Sequence, residues 1–176
     1  MKKRILAMAV IALMLGACSS TKPTGQMTQE GASLAKNFGK VEVEFSTFGD
    51  WKAIKSTASA NVPIEHDAGI EQAMNLATLR AKRNIVEFIQ SDLKSKKTSD
   101  AFTDALIDQN VSKDRATKMS QKITESIVEE SSGILRGAYI DDRKITDDGK
   151  NVTVMIVVDK RSLESSAKLK SMMLAK

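Results

Sequence analysis

The stretch Val152-Thr153-Val154-Met155-Ile156-Val157-Val158-Asp159 carries the strongest β signal in the chain. Val152, Val154, Ile156 and Val158 alternate with Thr153, Met155, Val157 and Asp159, the two-residue period of a strand. Both faces are largely apolar, so the strand is expected at the centre of a sheet rather than at its edge. Upstream, Ile134 to Ile145 reads as its partner. The two are joined through Thr146-Asp147-Asp148-Gly149-Lys150, where Asp148-Gly149 supplies tight-hairpin chemistry because glycine adopts positive φ without steric cost. Asp141 and Asp142 fall inside that partner strand. One of them must face inward, or a bulge must re-aim it.

Working back toward the start, Trp51 to Val62 has enough small and β-branched residues for a strand closed by Pro63, since proline cannot continue a ladder. Val41-Glu42-Val43-Glu44-Phe45 alternates apolar and charged residues between Gly39 and Gly49. It reads as a short half-exposed strand at an edge, and Val41, Val43 and Phe45 form a candidate interface through which a second sheet edge adds. Trp51, the single tryptophan, is expected first as a packing anchor at the edge of the core and otherwise as part of that interface. Between the strands the period changes to 3.6. Ile70, Met74, Ala77, Ala81, Ile85, Phe88 or Ile89, and Leu93 place a helix over about Ala68 to Lys94. Asp67 is its expected cap, with Glu65 and Glu71 near the positive end of its dipole and Lys94, Lys96 and Lys97 near the other. Ala73, Ala77 and Ala81 keep one side slim enough to lie closely on a sheet. Two further helices, from Ser99 as cap to about Gln109 and from Ser112 to about Ser131, form an inserted helical hairpin over roughly 99–131. Gly133 reads as its C-terminal stop. Leu163, Ala167, Met173 and Leu174 mark a short C-terminal helix.

The first residues address location. Lys2, Lys3 and Arg4 precede the uncharged apolar run Ile5 to Leu15, the layout of a signal peptide and too short to span a bilayer as a helix. The run ends at Leu15-Gly16-Ala17-Cys18, which resembles the bacterial lipobox, and Cys18 is the single cysteine of the chain. That resemblance implies cleavage between Ala17 and Cys18 and acylation of Cys18. Each buried acyl methylene contributes roughly 0.8 kcal/mol, so two chains anchor stably. Residues 1–17 are then a signal peptide, 18–40 the lipidated cysteine and a flexible Ser/Thr/Gly/Gln tether, and 41–176 a single domain. Ser19 rather than Asp follows the cysteine, which favours the outer membrane and its periplasmic face over the inner membrane or the cell surface.

Composition limits the chemistry. Three of the 27 basic residues lie in the leader, so the basic balance is not a nucleic-acid footprint, and stacking aromatics are few. With Cys18 given to lipid, no thiol remains for a disulfide or a thiolate site. His66 is the sole histidine, so a multi-histidine metal site is excluded. It stands between Glu65 and Asp67 at a helix start, where a capping neighbourhood is expected. Asp141, Asp142, Asp147 and Asp148 lack the ligand spacing of an EF-hand. Neither a Gly-x-Ser-x-Gly elbow nor a Walker-type loop occurs. No catalytic residue, metal or cofactor is expected beyond the covalent lipid.

Between Trp51 and Asp159 the chain resembles the LPP-twenty lipoproteins, the group that includes the flagellar outer-membrane lipoprotein FlgP. The residues that carry the likeness are the tryptophan-led strand, the alanine-rich helix Ala77-Thr78-Leu79-Arg80-Ala81-Lys82-Arg83-Asn84-Ile85, Gly137-Ala138-Tyr139-Ile140-Asp141-Asp142, and the hairpin to Val157-Val158-Asp159. The resemblance implies an α+β fold in which a long amphipathic helix packs on a small antiparallel sheet, with outer-membrane attachment, self-association and a non-enzymatic envelope role. The expected partners are the membrane, through the lipid, and either further copies or an envelope or flagellar-type assembly. The helical region Ser99 to Ser131 departs from the simplest members. A different function, carriage of a small ligand, would need a pocket between helix and sheet lined by Ile85, Phe88, Val154 and Ile156.

Overall fold

The computed structural model describes residues 32–64 and 66–174. Within them an antiparallel sheet is built from β1 (Ser33–Phe38), β2 (Val41–Ser46), β3 (Trp51–Asn61), β4 (Tyr139–Ile145) and β5 (Asn151–Asp159), in the order β1-β2-β3-β5-β4. The helices are α1 (Asp67–Glu87), α2 (Lys96–Ile107), α3 (Lys113–Gly137) and α4 (Lys160–Leu174). The fold is α+β, with helices layered on one side of the sheet. As its two apolar faces require, β5 is central: it pairs with β3 from Ala53↔Asp159 to Asn61↔Asn151 and with β4 on its other side.

Seating of α1 decides the rest. Gly69, Ala73, Ala77, Ala81 and Ile85, every fourth residue, are its buried row. The alanines expected to keep the helix slim do so, which brings its backbone onto β3 and β5 and lets Ile54, Val154, Ile156 and Val158 fill the space between. At the head of the row a Cβ on Gly69 would lie 2.0 Å from the Ile64 carbonyl oxygen, so only glycine fits.

Beyond Glu87 the single helix expected to reach Lys94 changes form. The Leu93 N–H donates to the Phe88 carbonyl at 2.8 Å, five residues back, which makes Phe88–Asp92 a π turn. In a regular α-helix residues five apart diverge by about 140°; the wider turn returns Phe88 and Leu93 to one side, where both are buried. Phe88 then meets Phe38 of β1 (ring centroids 5.3 Å), and Phe38 and Phe45 both meet Phe102 of α2 at 5.1 and 5.0 Å. This aromatic group closes the β1–β2 side of the core.

Several expected boundaries shift. The tether expected to reach Lys40 gives way to β1 from Ser33, and Val41–Ser46 is therefore an inner strand with neighbours on both sides. Helix α1 starts at Asp67 with His66 in the cap position and no side-chain cap bond; Glu65 lies outside the described residues. The next helix is capped by Ser95, whose Oγ accepts the Thr98 N–H at 3.2 Å. Ser99 instead turns to the helical hairpin, where the Ser120 hydroxyl donates to the Ser99 carbonyl at 2.9 Å. Helix α3 runs through Gly133 to Gly137, so Ile134 is a buried helical residue and β4 begins only at Tyr139. The glycines serve contact instead of termination. A Cβ on Gly133 would stand 2.9 Å from Leu163 Cδ2, and one on Gly137 3.1 Å from the Ser162 backbone carbon, both in α4.

Because the α1 row has no spare volume, Ala77→Leu is expected to lower unfolding stability by about 1–3 kcal/mol. Leu79→Ala, on the exposed side of the same helix, should stay within about 0.5 kcal/mol. Urea titrations of the two variants check this pair.

Candidate functional site

Ala17 and Cys18 lie outside the described residues. The candidate interface of Val41, Val43, Phe45 and Trp51 is placed in the core, with exposures of 3, 0, 0 and 1%. The reason for Trp51 is local. The β2–β3 register shifts between Glu44 and Phe45, so that Trp51 stands opposite Phe45 and turns to the helix side with it. Lys160 Nζ lies 4.2 Å from the centre of the indole ring, itself held by Glu130 Oε2 at 2.7 Å. These four residues hold the fold together and offer no contact surface. The residues expected to line a ligand pocket, Ile85, Phe88, Val154 and Ile156, are packed into the same continuous cluster. Among the described residues no three metal-ligating side chains come together, and no helix is long and apolar enough to cross a membrane.

Where β5 passes into α4, a polar junction fixes the C-terminal helix. Asp159 Oδ1 accepts the Ser162 N–H at 2.7 Å, while Ser162 Oγ accepts the Asp159 N–H at 3.1 Å, a reciprocal cap. The Tyr139 hydroxyl donates to Asp159 Oδ2 at 3.0 Å. Burial acts to raise the Asp159 pKa, but the Ser162 and Tyr139 hydrogen bonds outweigh it and hold the carboxyl below its usual range. The same bond to Asp159, with some burial, raises the Tyr139 phenol.

What remains for function is the outer surface of the sheet and its margins. On the face away from the helices Lys55 is paired with Glu44 and Glu42, and the hydrogen bond to Glu44 raises its pKa against the opposing effect of burial. Ser59 and Thr153 hydroxyls meet at 2.8 Å. Beyond the last β2 pair, Val41↔Ser56, the far half of β3 borders a cleft of about 560 Å³ with Lys40, Arg80, Arg83 and Asn84. Its cations are largely engaged: Arg80 donates to the Ser59 carbonyl at 2.7 Å, and Arg83 to Glu87 at 2.7 Å.

The other margin is less occupied. All seven residues of β4 are exposed, including Tyr139, Ile140 and Ile145 at 41, 44 and 48%. Alongside runs a groove of about 400 Å³ between β4 and α1, lined by Ile70, Met74, Ile145 and Val152 with Asp67, Glu71 and Arg143 at its rim. A bulge between Ile140 and Asp142 re-aims the strand, the second of the two outcomes open to the paired aspartates. The alternation of Val41–Phe45 points to an edge there, whereas the strands at the ends of the sheet are β1 and β4. The signal of the β4 edge was the charge run Asp141-Asp142-Arg143-Lys144 between two isoleucines, a composition suited to a strand with one side in water.

None of the known family models, curated proteins or solved structures matches this chain.

The Asp159 junction has a definite pH dependence. Its carboxyl is held below the unfolded value, so its stabilisation is fully present above the unfolded pKa of about 3.9 and is lost as pH falls through the folded one. Acidification below about pH 4 should loosen α4 and expose Trp51 to water. Asp159→Ala is expected to cost about 0.5–2 kcal/mol at neutral pH and to flatten that acid limb, as read by Trp51 fluorescence against pH.

Proposed function

We propose that this chain is a non-enzymatic cell-envelope lipoprotein. Acyl chains on Cys18 hold it at the outer membrane, and the α+β domain faces the periplasm, where it associates with further copies or docks on an envelope assembly of flagellar type. The observation that carries this reading is the leader that ends in Leu15-Gly16-Ala17-Cys18 and spends the one cysteine of the chain there. The likeness to LPP-twenty lipoproteins supports it from the sequence side. In the domain, the exposed β4 margin, which no strand covers among the described residues, favours contact. The ligand-carrier alternative loses its support, because the four residues that were to line a pocket fill the core.

Growth with an alkynyl fatty-acid analogue tests the anchor. The mature chain should take up label and sediment with membranes, whereas Cys18→Ser should remain unlabelled and uncleaved. An unlabelled wild-type chain that washes out of the envelope fraction would sink the proposal.

A further inference from the structure

We infer that β4 is the contact of a two-fold homodimer, in which the β4 strands of two copies pair antiparallel and join their sheets into one. This rests on the self-association reading and names its surface. Among the described residues no strand pairs with the outer side of β4; the Arg143 N–H donates to Asp142 Oδ1 at 2.8 Å, a local bond that pairing with a second strand would replace.

The argument for a second copy lies in the order of the side chains. Ile140-Asp141-Asp142-Arg143-Lys144-Ile145 has an isoleucine at each end, acids in its first half and bases in its second. Antiparallel pairing of such a strand with itself opposes unlike charges and like apolar groups. In a regular strand, however, Ile140 and Ile145 would point to opposite faces, because they are an odd number of residues apart. The bulge removes that conflict. Ile140, Arg143 and Ile145 stand opposite Ile156, Val154 and Val152, on the helix side, while Asp142 and Lys144 stand opposite Met155 and Thr153, on the outer side.

Two-fold pairing centred on Arg143 therefore matches the faces. Ile140 lies beside Ile145 of the second copy on the helix side, and Asp142 beside Lys144 of the second copy on the outer side, each twice. At the axis the two Arg143 side chains approach each other, with Asp67 and Glu71 of each α1 on the rim of the same groove to balance them. The apolar floor of that groove, Ile70 and Met74, continues toward the second copy. Charges on an open strand ordinarily keep other strands away; here both signs are present, and the bulged register sets Asp142 against Lys144 twice, at the cost of the Arg143 pair at the axis.

The full-length chain in detergent tests this by its protein mass in light scattering and by cross-linking. Arg143→Cys should give a disulfide-linked dimer on mild oxidation, because residues meeting at the axis lie within disulfide reach. Asn37→Cys, on the opposite margin of the sheet, should not. Asp142→Lys and Lys144→Asp, each placing like charges opposite, should each weaken the dimer about tenfold. Asp142→Lys combined with Lys144→Asp should restore it, which a folding defect would not. A monomeric wild type overturns the proposal, as does cross-linking of Arg143→Cys to an envelope protein in place of a second copy. An assembly that ignores all β4 changes also overturns it, yet leaves self-association standing. Failure of Cys18 labelling would overturn the lipoprotein reading without touching the dimer result.

Discussion

Contact between the slim side of α1 and the paired strands β3 and β5 is the constraint on which the other elements depend. Glycine and alanine at every fourth position let two backbones approach, and the sheet supplies the bulk through Ile54, Val154, Ile156 and Val158. Interiors are packed to near-crystalline density, so a helix seated this closely fixes the height of everything that follows it in the layer. The π turn is one consequence: the chain leaves α1 at that height and must still deliver both Phe88 and Leu93 inward. The glycine pair in α3 is another, since α4 leaves β5 at Lys160 over Trp51 and then crosses α3 at close range through Ser162 and Leu163.

Much of this was legible in the residues. The valine alternation of β5 gave its central place, Asp148-Gly149 its turn, and the adjacent aspartates the bulge. The turn glycine indeed has φ of +68°. What escaped has physical reasons. In Ser33–Phe38 only Leu34 and Phe38 are large and apolar, too few to signal a strand, and β1 is held by its ladder to β2. Gly133 stood where a helix stop is common, but a glycine can equally mark where a second helix crosses, and local sequence does not distinguish them. The π turn depends on tertiary contacts of Phe88 and Leu93 that no short-range period encodes.

The misplaced interface is the most instructive miss. Apolar–charged alternation in Val41–Phe45 was read as an edge, yet alternation reports only that one face of a strand meets water. In a two-layer domain every strand has such a face, whether or not it has neighbours. Of the two strands at the ends of the sheet, β1 and β4, only β4 carries charge on both faces, in the run from Asp141 to Lys144. The β4 edge was thus legible in its charge run, whereas the β1 edge left no such mark.

The ladder between β3 and β5 also bears on how the chain reaches this state. Ser59 and Thr153, hydrogen-bonded across it, are 94 residues apart, with α1, α2 and α3 between them. Closing so long a loop costs entropy that grows only slowly with length, but it must be met before the sheet rewards it, and non-local pairing of this kind slows folding. The hairpin of β4 with β5 closes locally through Thr146 to Lys150, whereas the pairing of β5 with β3 needs that long loop closed first. Until it closes, one side of an apolar strand has no neighbour, which leaves the chain open to misassembly.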